Sequence, residues 1–293
     1  MHYISLPNSK DFCQNFNTFE AKVSRFSDGE ISLSLEGFDF ASKNISVVQS
    51  FFASDSALIE LILLVDIISR NTSTPPNILL TYLSYARQDR EISQTSPISA
   101  FVIAKLLSSQ KIQTVSIVEL HSPQVQGFFT QPCFNISLED FFIAHILQNF
   151  DTKNIVICAA DIGGAKTVRK ISEKLGCTSA IVEKMRPEAG VSHAMSLVGD
   201  VSAKTCIIID DVIDTAGTLC NASDMLMQNG ANSVVAYASH GIFSGLALER
   251  IKKSSISKIF VSNTIFQESI GKIEKIDASQ FVKSKFEERV KNF

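Results

Sequence analysis

The sequence predicts an α/β protein with two tandem domains, each a mainly parallel sheet flanked by helices. Three observations carry this reading. At 293 residues with 45% hydrophobic content the chain is long for one core and comfortable for two. From Asn44 onward, short β-branched runs alternate with stretches whose apolar residues fall at helical spacing, the rhythm of strands joined by crossover helices. That rhythm then starts again, which places a boundary near residue 140 and predicts domains over 1–140 and 141–293.

The opening residues to about Glu20 are mixed and are expected to hold one strand and one helix. In 31–35 apolar and polar residues alternate as in a half-exposed strand, and Asp28-Gly29 before it is a hairpin signal. The first alternating set follows, with strands over 45–48, 78–82 and 115–120, the last ending at His121. Helices are expected over 56–69 and 97–107, the second capped by Ser96. The second set has a strand over 154–158 ending in Asp161-Ile162-Gly163-Gly164, a helix over 165–174 stopped by Gly176, and strands over 179–182, 207–209 and 233–238. A charged closing helix begins after Asp277 and is grouped with the C-terminal domain.

Charge and composition exclude several classes. The chain has 27 basic and 30 acidic residues, a net charge of −3, and no basic patch interleaved with aromatics, so nucleic acid is not an expected partner. The longest apolar tract, 57–68, is broken by Glu60 and Asp66 and is too short to span a bilayer, so no membrane association is expected. Six scattered cysteines show no Cys-x-x-Cys pair and read as small hydrophobes in a reducing compartment. Residues 1–5 lack the basic and apolar regions of a secretory signal, and a cytoplasmic location is expected.

The most informative stretch is 206–230. The buried-strand run Ile207-Ile208-Ile209 leads into two carboxylates, Asp210 and Asp211. Then comes the small-residue turn Asp214-Thr215-Ala216-Gly217-Thr218, opening into a helix that stops at Asn229-Gly230. A helix N-terminus offers backbone N–H groups with no intrahelical partner, and Gly217 lets a phosphate approach them closely. Thr215 and Thr218 add hydroxyls. Acidic residues beside an anion cradle suit a phosphorylated sugar, its phosphate on the loop and its hydroxyls on the carboxylates.

This stretch resembles the phosphoribosyl-binding fingerprint of type I phosphoribosyltransferases and of ribose-phosphate diphosphokinases (PRPP synthetases). Further strings distinguish the two. Phe-Ser-Asp-Gly-Glu at 26–30, Tyr-Ala-Arg-Gln-Asp-Arg at 85–90, Leu-His at 120–121 with Gln-Gly-Phe-Phe at 126–129, Asp-Ile-Gly-Gly-Ala-Lys at 161–166, Lys-Met-Arg-Pro at 184–187 and Ser-Asn-Thr-Ile at 262–265 occur in the diphosphokinase order. Plain phosphoribosyltransferases lack the first three. There is no Gly-x-x-x-x-Gly-Lys-Ser/Thr loop, which excludes a P-loop kinase.

The resemblance implies two phosphoribosyltransferase-like domains, an ATP side over 1–140 and a ribose 5-phosphate side over 141–293. The implied reaction moves the β,γ-diphosphoryl group of ATP to the C1 hydroxyl of ribose 5-phosphate, giving PRPP and AMP. By matched position, Asp214, Thr215, Ala216, Gly217 and Thr218 hold the 5-phosphate, and Asp210 and Asp211 the ribose hydroxyls. Arg87 and Gln88 contact ATP, with Phe26, Asp28 and Glu30 reaching its adenine from a neighbouring subunit. Asp161, Gly163 and Gly164 form a diphosphate loop, His121 and Asp161 serve Mg²⁺, and Lys184 and Arg186 act on the transferring group from a mobile loop. A homo-oligomer, dimer or higher, is implied.

The chain departs from the family pattern in places. Glu91-Ile92-Ser93-Gln94-Thr95 replaces a basic run, Phe101 stands where lysine is common, Met185 replaces a basic residue, and Phe266 replaces a proline. The C-terminal region is shorter than in the phosphate-activated, ADP-inhibited members, so their allosteric site and hexamer are not implied. These departures keep one alternative open, a catalytically silent family member that binds nucleotide or sugar phosphate and regulates a partner.

Overall fold

The computed structural model describes all residues except 42–43, 53–54, 185–194, 266–267 and 292, and leaves out the side chains of Lys184 and Met195. The chain divides into two compact units. One comprises Met1–Ser137, Asn263–Phe266 and Asp277–Phe293; the other comprises Leu138–Ser262 and Gln267–Ile276.

The first unit opens with β1 (His2–Ser5), β2 (Thr18–Glu20), β3 (Lys22–Arg25) and β4 (Ile31–Ser34). It continues with β5 (Ile45–Ser50), α1 (Ser56–Asn71), β6 (Asn77–Tyr82), α2 (Ser99–Ser108), β7 (Thr114–Val118) and β8 (Cys133–Ile136). Six strands form a sheet in the order β2-β1-β5-β6-β7-β8, every pair parallel. β3 and β4 form a separate antiparallel hairpin. Ile4, Val47, Ile78, Leu80, Val115 and Ile117 share one apolar cluster with Leu61, Leu64 and Ile68 of α1 and Ala100, Ala104 and Leu107 of α2.

Expectations change at the start of this unit and before α2. Between β1 and β2 the chain makes two 3₁₀ turns, Pro7–Ser9 and Phe12–Asn15, instead of a helix. This stretch is rich in Asn, Ser and Asp, which favour turns, and it is too short to offset helix nucleation. Ser96 does not cap α2: its hydroxyl accepts from the Ser93 amide at 2.9 Å and donates to the Ser93 carbonyl at 2.8 Å, closing a local turn, and the helix starts at Ser99.

The second unit contains α3 (Glu139–Asn149), β9 (Ile155–Ala159), α4 (Ala165–Leu175), β10 (Thr178–Lys184) and β11 (Met195–Val198). It continues with β12 (Thr205–Ile213), α5 (Gly217–Gln228), β13 (Ser233–Gly241), α6 (Ala247–Lys253), β14 (Ile256–Ser262) and β15 (Ile273–Ile276). The sheet order is β11-β10-β9-β12-β13-β14-β15, antiparallel only at β11. From β9 the chain moves outward to β10, then returns to β12 on the other side of β9 and moves outward again to β13. The strand order therefore reverses between β9 and β12. In open parallel sheets, a crevice for ligands opens beyond the carboxyl ends of the strands at that reversal.

The closing helix α7 (Ser279–Val290) belongs with the first unit, not with the C-terminal domain to which the sequence reading attached it. Val282, Phe286 and Val290 form its buried stripe. Glu287 accepts a hydrogen bond from the Tyr3 hydroxyl at 2.8 Å, and the Phe286 and Tyr3 rings lie 6.3 Å apart. Asp277 accepts from Asn15 at 2.7 Å, tying the helix entry to the same unit. Among the described residues no helix is long and apolar enough to cross a membrane.

Candidate active site

The two sequence-predicted loops of the second unit follow the two strands that flank the reversal. After β9, Asp161 starts a short 3₁₀ turn, and its Oδ1 accepts from the amides of Gly163 at 2.8 Å and Gly164 at 3.3 Å. The loop therefore already holds an anion, the Asp161 carboxylate, on the amides that the sequence reading assigned to a diphosphate. A Cβ on Gly163 would meet that oxygen at 3.0 Å, and one on Gly164 would meet the Ala159 Cβ at 3.2 Å. Both glycines keep the carboxylate seated and α4 close to β9.

After β12 comes the second loop. The strand runs further than expected, through Asp210 and Asp211 to Ile213, because β13 continues to pair with it: Asp210 lies opposite Ala238, and Val212 opposite His240. Pairing with β9 stops at Ile208, so beyond that point one edge of β12 is open to the crevice. The Asp211 amide donates to the Asp210 carboxylate at 2.9 Å. Desolvation at the strand end, then the neighbouring Asp211 carboxylate, push the Asp210 carboxyl well above the usual range, with Asp161 adding to the effect. Such a pair of carboxylates favours a partner that supplies hydroxyl donors or positive charge.

Ala216 then adopts the left-handed conformation (φ 59°), unusual for a residue with a side chain, and α5 begins at Gly217. An added Cβ at Gly217 would meet only ordinary contacts, Arg250 Nη1 at 3.8 Å and Thr215 Oγ1 at 3.9 Å. Among the described residues, nothing requires glycine at that position.

The candidates of the first unit sit at strand ends or on the hairpin. Gln88, beyond β6, is fixed by its amide to the Tyr85 carbonyl (2.9 Å), by its carbonyl to the Ala100 amide (3.1 Å) and by Oε1 to the Ser99 hydroxyl (2.6 Å). Arg87 beside it is exposed. β7 ends at Val118, short of the expected strand, because Glu119 takes a positive φ of 43°; exposed His121 follows. The β3–β4 tip is closed by the Phe26 amide on the Glu30 carbonyl (2.9 Å), the Gly29 amide on the Phe26 carbonyl (2.9 Å) and the Glu30 amide on the Asp28 carboxylate (3.0 Å). Phe26 is 59% exposed at that tip. A cavity of about 660 Å³ in this unit, lined by Ser5, Asn8, Lys10, Phe16, Ser50 and Phe52 among others, contains none of the predicted residues.

Lys184 is the last residue of β10, opposite Met195 on β11; Arg186, Met185 and Phe266 lie outside the described residues. Among the described residues no preformed cluster of three or more His, Cys, Asp or Glu is arranged to hold a metal ion.

Sequence reasoning missed two residues at the phosphate-type loop. Ser244 donates its hydroxyl to the Asp214 carboxylate and its amide to the Asp214 carbonyl (3.1 Å). Arg250 Nη1 donates to the Thr215 carbonyl at 2.8 Å. The available signal was topological: in a parallel sheet the residues after one strand must lie beside those after its neighbour, and β13 neighbours β12.

Comparisons with known proteins agree with this architecture. Residues 11–110 match the family model described as the N-terminal domain of ribose phosphate pyrophosphokinase, and residues 184–292 match the phosphoribosyl synthetase-associated domain. The chain is 37% identical over 246 residues to the ribose-phosphate pyrophosphokinase of Agrobacterium fabrum, covering 84% of this chain and 79% of that protein. It is 38% identical over 254 residues to that of Helicobacter hepaticus, covering 86% and 82%. The crystal structure of phosphoribosylpyrophosphate synthetase from Mycobacterium smegmatis shares the fold, with a TM-score of 0.88, 24% identity and full coverage of both chains. On the strength of these relatives and of the two matched domains, the chain belongs to the ribose-phosphate pyrophosphokinase family of enzymes.

Proposed function

We propose that the protein transfers the β,γ-diphosphoryl group of ATP to the C1 hydroxyl of ribose 5-phosphate, giving PRPP and AMP for nucleotide synthesis. The observation that carries this reading is the Asp210–Thr218 segment: two carboxylates at the end of β12 run directly into an open helix N-terminus, beside the sheet's strand-order reversal. The 5-phosphate accepts hydrogen bonds from the amides and hydroxyls of Asp214, Thr215, Ala216, Gly217 and Thr218, and Asp210 and Asp211 accept from the ribose hydroxyls. With both ends of the sugar held, the C1 hydroxyl is presented in one orientation for in-line attack.

Arg87 and Gln88 bind ATP, and Phe26, with Asp28 and Glu30, receives the adenine of a neighbouring copy in a homo-oligomer of at least two chains. The exposed ring at the hairpin tip supports that role. Lys184 and Arg186 neutralise charge that builds on the transferring group.

The cofactor of this reading is Mg²⁺, which His121 and Asp161 would each serve. Asp161 offers a second carboxylate oxygen beyond the one seated on Gly163 and Gly164. Mg²⁺ needs only one or two protein carboxylates when substrate phosphates complete its shell. When bound, it would supply positive charge to the phosphate oxygens.

The decisive experiment is a product assay with ATP, ribose 5-phosphate and Mg²⁺ that resolves AMP from ADP. AMP with stoichiometric PRPP is expected; ADP would mean single phosphoryl transfer and a wrong reaction. Lys184→Ala is expected to lower kcat by about a hundredfold or more, since it removes charge stabilisation of the transition state, while ribose 5-phosphate binding survives. An active Lys184→Ala enzyme would remove Lys184 from the mechanism. A wild-type protein that binds both substrates without turnover would favour the silent regulatory homologue.

A further inference from the structure

We infer that Ser244 and Arg250, on the segment following β13, are positioning residues that aim the ribose 5-phosphate loop; the inference rests on the proposed reading of that loop. A trans peptide carries its C=O and N–H on opposite sides, so fixing a carbonyl fixes the direction of the next residue's amide. No cis peptide occurs in the described chain. Three successive carbonyls entering the loop are held by this one segment. The Ile213 carbonyl accepts from the amides of Ile242 (2.8 Å) and Phe243 (3.2 Å), the Asp214 carbonyl from the Ser244 amide (3.1 Å), and the Thr215 carbonyl from Arg250 Nη1 (2.8 Å). The amides of Asp214, Thr215 and Ala216 are thereby turned away from residues 242–250.

This matters at a phosphate site for an electrostatic reason. A loop whose peptides could flip would present carbonyl oxygens to an anion as readily as amides, and repulsion would replace attraction. The Thr215–Ala216 peptide is the one at risk, because Ala216 sits in the left-handed region that residues with side chains adopt reluctantly. Arg250 holds that peptide with a charge-assisted bond, and its Nη1 lies 3.8 Å from the point where a Gly217 Cβ would stand. Ser244 holds the Asp214 carboxylate through its hydroxyl, fixing the acidic group at the mouth of the loop.

The segment is itself built for this approach. A Cβ on Gly241 would meet the Phe243 ring at 2.5 Å, and Phe243 has a positive φ of 52°, so the chain turns tightly after β13 while staying beside the residues that leave β12.

The test is calorimetric titration of ribose 5-phosphate and, separately, of ATP into the wild type, Arg250→Ala, Arg250→Lys and Ser244→Ala. Arg250→Ala is expected to weaken ribose 5-phosphate by about tenfold, the scale of one lost charge-assisted bond, with ATP affinity changed less than about twofold. Arg250→Lys, whose ammonium can still reach the carbonyl, recovers part of the loss. Ser244→Ala weakens the sugar phosphate but not ATP. Unchanged ribose 5-phosphate affinity in Arg250→Ala, or a parallel loss for both ligands, overturns the inference. Should Arg250→Ala fail to fold, Arg250→Lys and Ser244→Ala decide it by the same comparison. A wild type that binds no ribose 5-phosphate defeats the proposed function as well; a wild type that binds it equally with its variants defeats only the positioning role.

Discussion

Gly217 and Asp210 separate what a residue does for the fold from what it does for a ligand. Among the described residues nothing crowds a Cβ at Gly217, so Gly217→Ala is expected to fold with stability within about 1 kcal/mol of the wild type, the Gly-to-Ala scale in a helix. Its ribose 5-phosphate affinity is expected to fall at least tenfold, because a methyl then stands where phosphate must approach. Denaturation and binding measured on one preparation check this; unchanged binding would show that the phosphate does not use this helix start. Asp210 makes a pH prediction. A carboxyl whose folded pKa is raised stabilises the fold fully below the ordinary carboxylate value, about 3.9, and that contribution is lost as pH rises through the folded value. Asp210→Asn is therefore expected to raise Tm by a few degrees at neutral pH in the metal-free, ligand-free protein, with the gain vanishing near the ordinary carboxylate pKa. Melts at both ends of that window check it, and an equal gain at both would rule out the buried charge as its cause. The identities of Asp210, Asp214 and Gly217 were legible in the sequence because they fall in one unbroken string. Ser244 and Arg250 were not, because they reach the loop from the segment that follows another strand, and the string contains no trace of them.

Elements show the same division. The β3–β4 hairpin was legible from alternation and Asp-Gly, both local signals, and it appears with Phe26 at its exposed tip. Removing a ring that exposed costs little packing, so Phe26→Ala is expected to melt like the wild type while raising KM for ATP severalfold. Steady-state kinetics check this; an unchanged KM would take the adenine role from the hairpin. The ends of β7 and β12 were not legible. β7 stops early because Glu119 enters a left-handed turn, and β12 runs past its two aspartates because β13 supplies backbone partners for them. Aspartate is a poor strand former, so propensity pointed the other way; a tertiary neighbour overrode it. Ser96 looked like a helix cap, but a nearby backbone amide engaged its hydroxyl first.

At the scale of the whole molecule, α7 carries the main lesson. Its residues close the chain, yet its buried stripe packs with β1 and the turns beside it. Phe286 is fully buried, and Phe286→Ala is expected to cost about 3–5 kcal/mol, the range for emptying an aromatic core site. Urea unfolding measures it, and a loss below about 1 kcal/mol would show that α7 only rests on the surface. The sequence by itself determined the α/β class, the duplicated strand–helix rhythm, the family, and the order of its site strings. Each depends on local patterns or contiguous residues, which a linear reading contains in full. Only the tertiary structure decided which strands are neighbours, and so where the strand order reverses and which residues brace the loop after β12. It also decided which unit receives the closing helix. Those outcomes follow from pairing and burial between segments far apart in the chain, where the energy lies in contacts that no single stretch encodes.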